Sequence, residues 1–262
     1  MGLFDKKYCS VCEKKIGLLG NRKLEDGNLC KDCANKLSPW FSERRQSSVN
    51  DIRAQLAYRE ENRGAVAQFN TTRSLGKHTK LLLDENAGKL VVTAARDLRE
   101  ANPDVLDFSQ ITGCDLDIEE SRHELKDKDA QGRLVSFNPP RYEYSYNFYV
   151  SIRVNHPYFD QIRYSLSNGY IKTGERVLAN APGGWQVSRR GAMDSFRVRE
   201  YYDCLNTGNE IKDLLDDLRQ SVREKIVAQN APKTAVICPL CGASTLPDAN
   251  GCCEFCGGAV GQ

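Results

Sequence analysis

Eight of the eleven cysteines fall in four Cys-x-x-Cys pairs: Cys9/Cys12, Cys30/Cys33, Cys238/Cys241 and Cys253/Cys256. Thiolates favour a borderline-soft ion such as Zn2+, and four of them complete a tetrahedron around it. A Cys-x-x-Cys knuckle points both sulfurs at one ion, so two knuckles joined by a short hairpin make a site. Seventeen residues separate the N-terminal pairs and eleven the C-terminal pairs, both within zinc-module spacing. At the C-terminal site a glycine follows each second cysteine (Gly242 and Gly257), which lets the backbone turn so that amides donate to sulfur. The matching N-terminal positions hold Glu13 and Ala34, so those knuckles read as less regular.

Two Zn2+ ions are therefore expected, one on Cys9, Cys12, Cys30 and Cys33 and one on Cys238, Cys241, Cys253 and Cys256. Thiolate at all four positions leaves no open place for water, so the expected role is structural. A redox Cys-x-x-Cys would sit in a strand–helix context that this sequence lacks. An iron–sulfur cluster would use the same thiolates, but the compact ribbon spacing fits zinc better. Cys252 abuts Cys253, and only Cys253 gives the two-residue gap; Cys114 and Cys204 read as small buried hydrophobes.

Other residues able to do chemistry carry weaker patterns. His78, His123 and His156 form no metal-binding spacing. The carboxylates Asp115, Asp117, Glu119 and Glu120 read as a solvated strand edge rather than an acid–base pair. Pro182-Gly183-Gly184 lacks the lysine of a phosphate loop and reads as a turn. The tyrosines at 142–149 lack the companion run of RNA-binding sheets. Arg189, Arg190, Arg197 and Arg199 read as a solvated strand face. No catalytic residue is identified, and a non-enzymatic protein is expected.

The elements that must position the cysteines follow from periodicity. Residues 1–38 form the N-terminal module, with a hairpin turn at Asp26-Gly27 and too few large apolar residues to fold without a staple. A connector helix is predicted at 48–68, inside a linking segment 39–68, with Ser48 as N-cap and Asp51 in its first turn. From 69 to about 200 the pattern is mostly strand. Lys80–Leu83 and Lys89–Thr93 should pair as a hairpin. Tyr142, Tyr144, Tyr146, Phe148, Val150, Ile152 and Val154 share parity and so one face of a half-buried antiparallel strand. The charged segment 122–140 reads as an exposed loop. A helix is predicted at 207–228, opened by a Thr207/Glu210 capping box, with Ile211, Leu214, Leu215, Leu218, Val222 and Ile226 as its buried apolar stripe. The sheet domain spans 69–229 and the C-terminal ribbon 230–262. The fold class is α+β.

Charge and targeting signals exclude little. Formal net charge is +2, so no global basic field argues for nucleic acid. No apolar run suits a membrane span, and the start MGLFDKKYC has no apolar h-region, from which a cytoplasmic location is expected. Locally, Lys6, Lys7, Lys14, Lys15, Arg22 and Lys23 give the N-terminal module a basic surface, whereas the chain from 238 onward has no Lys or Arg.

The run KKYCSVCEKKIGLLG, followed by LEDGNLCKDC, resembles the bacterial domain-of-unknown-function family 4428. The resemblance implies that the module is joined to a sheet domain similar to bacterial pleckstrin-homology domains. LLLDENAGKLVV and VLDFSQITGCDL are similar to the opening strands of such domains, and 207–228 to their closing helix. CPLCGASTLPDANGCCEFCGG resembles bacterial zinc-ribbon tails. The expected architecture is a central pleckstrin-homology-like barrel with a closing helix between two zinc modules. The expected function is an adaptor for a protein partner or a lipid head group; the alternative is nucleic-acid binding by the zinc modules. Partner identity and oligomeric state are not legible.

Overall fold

The computed structural model describes residues 6–174, 192–230, 235–248 and 251–260. The chain divides into two compact units, Met1–Arg219 and Gln220–Gln262. Pro182-Gly183-Gly184 and Arg189-Arg190 lie outside the described residues.

The first unit opens with two short hairpins. β1 (Lys7–Tyr8) pairs with β2 (Lys15–Ile16), and β3 (Arg22–Lys23) with β4 (Asn28–Leu29), both antiparallel. The one-turn helix α1 (Lys31–Ala34) follows. The predicted Asp26-Gly27 turn closes as Leu24 N–H donates to the Gly27 carbonyl at 2.9 Å.

α2 (Val49–Gln68) starts where the sequence places it. Ser48 Oγ accepts from Asp51 N–H while the Asp51 carboxylate accepts from Ser48 N–H, satisfying donors that a helix start leaves free. Asp26 adds a third acceptor, taking Val49 N–H at 2.8 Å. Ile52 is buried with Cys9, Leu24, Leu29 and Leu37, so the first half of α2 belongs to the core of the N-terminal module.

Two antiparallel sheets make up most of the rest. β5 (Arg73–Leu75), β6 (Lys80–Asp84), β7 (Lys89–Thr93) and β8 (Val105–Asp107) lie in that order, with the short α3 (Leu98–Ala101) between the last two. The predicted β6–β7 hairpin pairs Leu83 with Leu90, both fully buried. The second sheet holds β9 (Ile111–Lys128), β10 (Leu134–His156), β11 (Phe159–Ser165) and β12 (Ile171–Thr173). β10 is its centre: β9 pairs along one side, and β11 and β12 along the other. The residues of shared parity from Tyr146 to Val154 are buried as predicted. Among the described residues no strand pair joins the two sheets, so the pairing gives two open sheets and not a closed barrel.

Two sequence expectations fail here. The segment 122–140 is not a loop: β9 and β10 run through it as a hairpin that turns at Asp129–Gly132. Its residues are solvent-exposed on both faces, so hydrophobic alternation had nothing to reveal. Pro139 and Pro140 sit where the register shifts between Ser136 and Arg141, a bulge that spares the ladder the N–H a proline lacks. The closing helix, in turn, does not begin at Thr207. α4 runs continuously over Ala192–Asn230, which also places Arg197 and Arg199 on a helix and not a strand. Its earlier turns are anchored by Tyr201, buried edge-on against Tyr146 and Phe148 with ring centres 4.8 and 5.0 Å away. That packing outweighs the local capping signal. Ile211 and Leu215 are fully buried as the stripe predicts, whereas Ile226, near the helix end, is exposed.

The second unit holds the last turns of α4 and a ribbon. β13 (Val236–Ile237) pairs with β14 (Ser244–Thr245), and Cys252 bridges Ala259. Its core is Cys238, Cys253 and Val260 with Val236 against them. So small a core needs a staple.

Candidate metal centres

The knuckles share one backbone device. After Cys9 and Cys12 the chain turns so that Glu13 N–H donates to the Cys9 carbonyl at 2.8 Å and Cys9 N–H to the Lys14 carbonyl at 2.9 Å. Gly242 returns to Cys238 and Gly257 to Cys253 in the same way, each at 2.8 Å. All three turning residues are left-handed, with φ of 61° at Glu13, 69° at Gly242 and 68° at Gly257. The irregularity at Glu13 is therefore one of residue type and not of shape. The pair Cys30/Cys33 is built differently. Cys30 caps α1, its sulfur accepting from Cys33 N–H at 3.4 Å.

These turns bring the eight predicted cysteines into two groups, Cys9, Cys12, Cys30 and Cys33 and then Cys238, Cys241, Cys253 and Cys256. Within each group the sulfurs all lie within 4.8 Å of one another. Cys12 and Cys30 are 3.7 Å apart, Cys238 and Cys256 3.6 Å, and Cys241 and Cys253 3.7 Å. A tetrahedron with Zn–S bonds of about 2.3 Å has S···S edges of about 3.8 Å, whereas a disulfide brings sulfurs to about 2.05 Å. The spacing and the all-thiolate donor set fit Zn2+. Cys253, not Cys252, joins the second group; Cys252 N–H instead donates to the Asp248 carboxylate at 2.8 Å.

The electrostatics of both groups favour a bound cation. Burial resists ionisation of Cys9, but backbone hydrogen bonds from Cys12, Cys30 and Val11 outweigh it and bring the thiol down to about 6. Burial and the surrounding sulfurs push Cys33 up, and burial raises Cys30. In the second group Cys253 falls to about 6, burial again being outweighed by backbone hydrogen bonds from Cys256 and Phe255. Although the Gly258 amide favours its thiolate, the Cys241 and Cys238 sulfurs push Cys256 up to about 12. One thiolate forms readily in each group and then opposes the next. A dication removes that opposition.

The remaining candidates disperse. Burial pushes the Cys114 thiol up to about 12 and the Cys204 thiol up to about 11, which makes both inert. His156 stacks on Phe159 at 4.1 Å and meets Tyr58 edge-on at 5.0 Å, with burial lowering its pKa. Asp115 pairs with Arg153, while Arg163 bridges Asp117 and Glu119 at 2.8 Å each and lies over the Tyr149 ring. These carboxylates brace a sheet face.

Sequence reasoning missed two features of the first unit. Arg59 is buried against Asp104, and its Nε donates to the Lys36 carbonyl just after α1. Its position on the helical face of Ile52 and Val66 was the available signal. The second is a concave basic surface where Arg44 and Arg45 join Arg22 and Lys23. Only folding brings those two dipeptides together. No curated protein and no solved structure matches the chain. Residues 7–55, which hold all four cysteines of the first group and the opening of α2, match the family described as a domain of unknown function, DUF4428.

Proposed function

We propose that the chain is a non-catalytic docking protein with two structural Zn2+ ions, whose metal centres hold surfaces in shape for a protein partner. The observation that carries this reading is the S···S spacing of 3.6–3.7 Å in groups made of four thiolates each. A closed thiolate shell has no site for water or substrate, so the metal acts through the shape it imposes. The ribbon supplies a fitting surface. Leu240 and Phe255, the third residues of the two C-terminal knuckles, are 73% and 70% exposed. Large apolar side chains held out on a rigid turn are the usual anchors of a protein interface. With no Lys or Arg from 238 onward, the ribbon is a poor match for nucleic acid. The middle sheets, in this reading, are a pleckstrin-homology-like domain serving the same end.

The test is affinity capture from a native extract with the full chain, its Leu240→Ser/Phe255→Ser variant and the chelator-treated chain. A protein retained by the first and lost from the other two is the expected result. Fewer than two zinc per wild-type chain, or a partner indifferent to both treatments, would overturn the reading.

A further inference from the structure

The β2–β3 loop of the N-terminal module carries Gly17-Leu18-Leu19-Gly20 at its tip. Leu18 and Leu19 are 94% and 92% exposed, higher than any other large apolar side chain among the described residues. Exposure here does not mean a loose segment. The turn is closed by Gly20 N–H donating to the Gly17 carbonyl at 3.0 Å, and Ile16 at its base is buried in the module core. Two leucines are thus held out on a braced loop that links the two hairpins of the cysteine module.

Cations surround that tip. The Arg22 guanidinium donates to the Leu19 and Asn21 carbonyls at 3.4 Å, which places a fixed positive charge against the loop backbone. Arg44 reaches across to the Lys23 carbonyl at 3.3 Å. Arg22, Lys23, Arg44 and Arg45 line one concavity, which Glu25 also lines. None of the four has an ion-pair partner among the described residues. Partial burial, with repulsion from Arg22 and Arg45, lowers the Arg44 pKa. Lys14 and Lys15, just ahead of the loop in sequence, are exposed as well.

A protein partner would need an apolar pocket ringed by carboxylates to meet this surface. A nucleic acid would satisfy the charges but leave the two leucines in water, since stacking on bases calls for aromatic or guanidinium planes. An anionic bilayer satisfies both demands. Acyl chains accept leucine side chains, and the surrounding cations meet phosphates in the head-group layer.

We infer that the N-terminal module docks on an anionic membrane surface, Leu18 and Leu19 entering the acyl layer while Arg22, Lys23, Arg44 and Arg45 hold the lipid phosphates. The inference rests on the docking reading above and on zinc holding the N-terminal module. It requires no membrane-crossing helix, and none of the described helices is long and apolar enough to be one.

Vesicle flotation with the full zinc-loaded chain tests it. The probe is phosphatidylcholine vesicles with about one-third phosphatidylglycerol, in about 0.1 M salt, against phosphatidylcholine alone. The chain should float with the anionic vesicles only. Leu18→Asp/Leu19→Asp and Arg44→Ser/Arg45→Ser should each weaken partitioning at least about 10-fold with zinc content unchanged, since none of the four is a cysteine ligand and, half-buried Arg44 apart, all are exposed. Failure of the wild type to float, or flotation of the leucine variant at wild-type level, overturns the proposal. So does a gel shift with single-stranded nucleic acid that the arginine variant loses and the leucine variant keeps alongside its flotation. Zinc counted in the same fractions separates the two readings. A two-zinc chain that stays at the bottom sinks the membrane surface alone. Leucine-dependent flotation by a chain without zinc sinks the metal reading alone.

Discussion

Arg59 Nη1 and Asp104 Oδ1 lie 2.7 Å apart across 45 positions of sequence, with side chains 8% and 0% exposed. The pair is fully hydrogen-bonded. Ser38 Oγ donates to Asp104 at 2.7 Å, and Arg59 also donates to the Asn102 and Lys36 carbonyls. It fastens three parts together: the end of the cysteine module, α2, and the segment entering β8. Desolvation offsets most of the attraction within such a pair, but losing one partner strands the other charge. Asp104→Ala should destabilise the first unit by about 3–5 kcal/mol, read by urea denaturation. The double replacement Arg59→Met/Asp104→Leu should recover most of that loss. A single-variant loss under about 1 kcal/mol would place the pair at the surface in solution.

The adjacent cysteines at the ribbon give a sharper metal test. Cys253→Ser should cut bound zinc from two per chain to one and unfold the ribbon, because binding free energy of about 10–16 kcal/mol is folding free energy for so small a module. Cys252→Ser should keep both ions, since that residue contributes an N–H to Asp248 and a strand bridge to Ala259. Mass spectrometry under native conditions counts the ions. A reversed result would exchange the ligand assignment.

Glu13 occupies a left-handed turn that its two counterparts in the ribbon give to glycine. A side chain there costs roughly 1 kcal/mol. Glu13→Gly should raise the melting temperature of the zinc-loaded chain, and Gly242→Glu should lower it. An unchanged melting temperature in both would show that the turn relaxes in solution.

Asp84 supplies the acid-sensitive point of the first sheet. Its carboxylate accepts from Asn70 N–H at 2.9 Å and Ala87 N–H at 3.0 Å, which holds its pKa below the usual carboxylate range. The folded state therefore binds this proton less readily than the unfolded chain. Its stabilisation is complete above the ordinary carboxylate value of about 4 and is lost as pH falls through the lowered one. Asp84→Asn should melt lower than wild type at neutral pH, with the gap closing on acidification. A constant gap across that range would assign the effect to shape and not charge.

How much the sequence reveals depends on whether an element answers to local or distant partners. The Cys-x-x-Cys pairs, the Ser48/Asp51 cap and the alternation from Tyr146 to Val154 are local rules, and each is where the residues place it. The start of α4 is not local. Thr207 and Glu210 form a plausible cap, but Tyr201 finds Tyr146 and Phe148 more than fifty positions away and carries the helix past it. The β9–β10 arm was hidden for another reason. With water on both faces its strands have no apolar period, and their order comes from backbone pairing and from cation–ring contacts such as Arg122 over Tyr142. The basic concavity was half visible: Arg22 and Lys23 stood out beside the cysteines, while Arg44 and Arg45 reach them only through the fold.

β9 pairs with β10 and, among the described residues, with nothing on its other side. Such an edge is a template on which a second copy could add, and then a third, although Arg219 of α4 already takes the Thr112 carbonyl at 2.6 Å. The side chains along it argue against such growth. Asp115, Asp117, Glu119, Glu120 and Glu124 crowd one stretch, and Lys126, Asp127 and Lys128 end it. A like strand laid alongside would strip water from these side chains, including the Asp117 and Glu119 pairs with Arg163, which makes self-templating costly. Charge along this edge thus works against fibre formation.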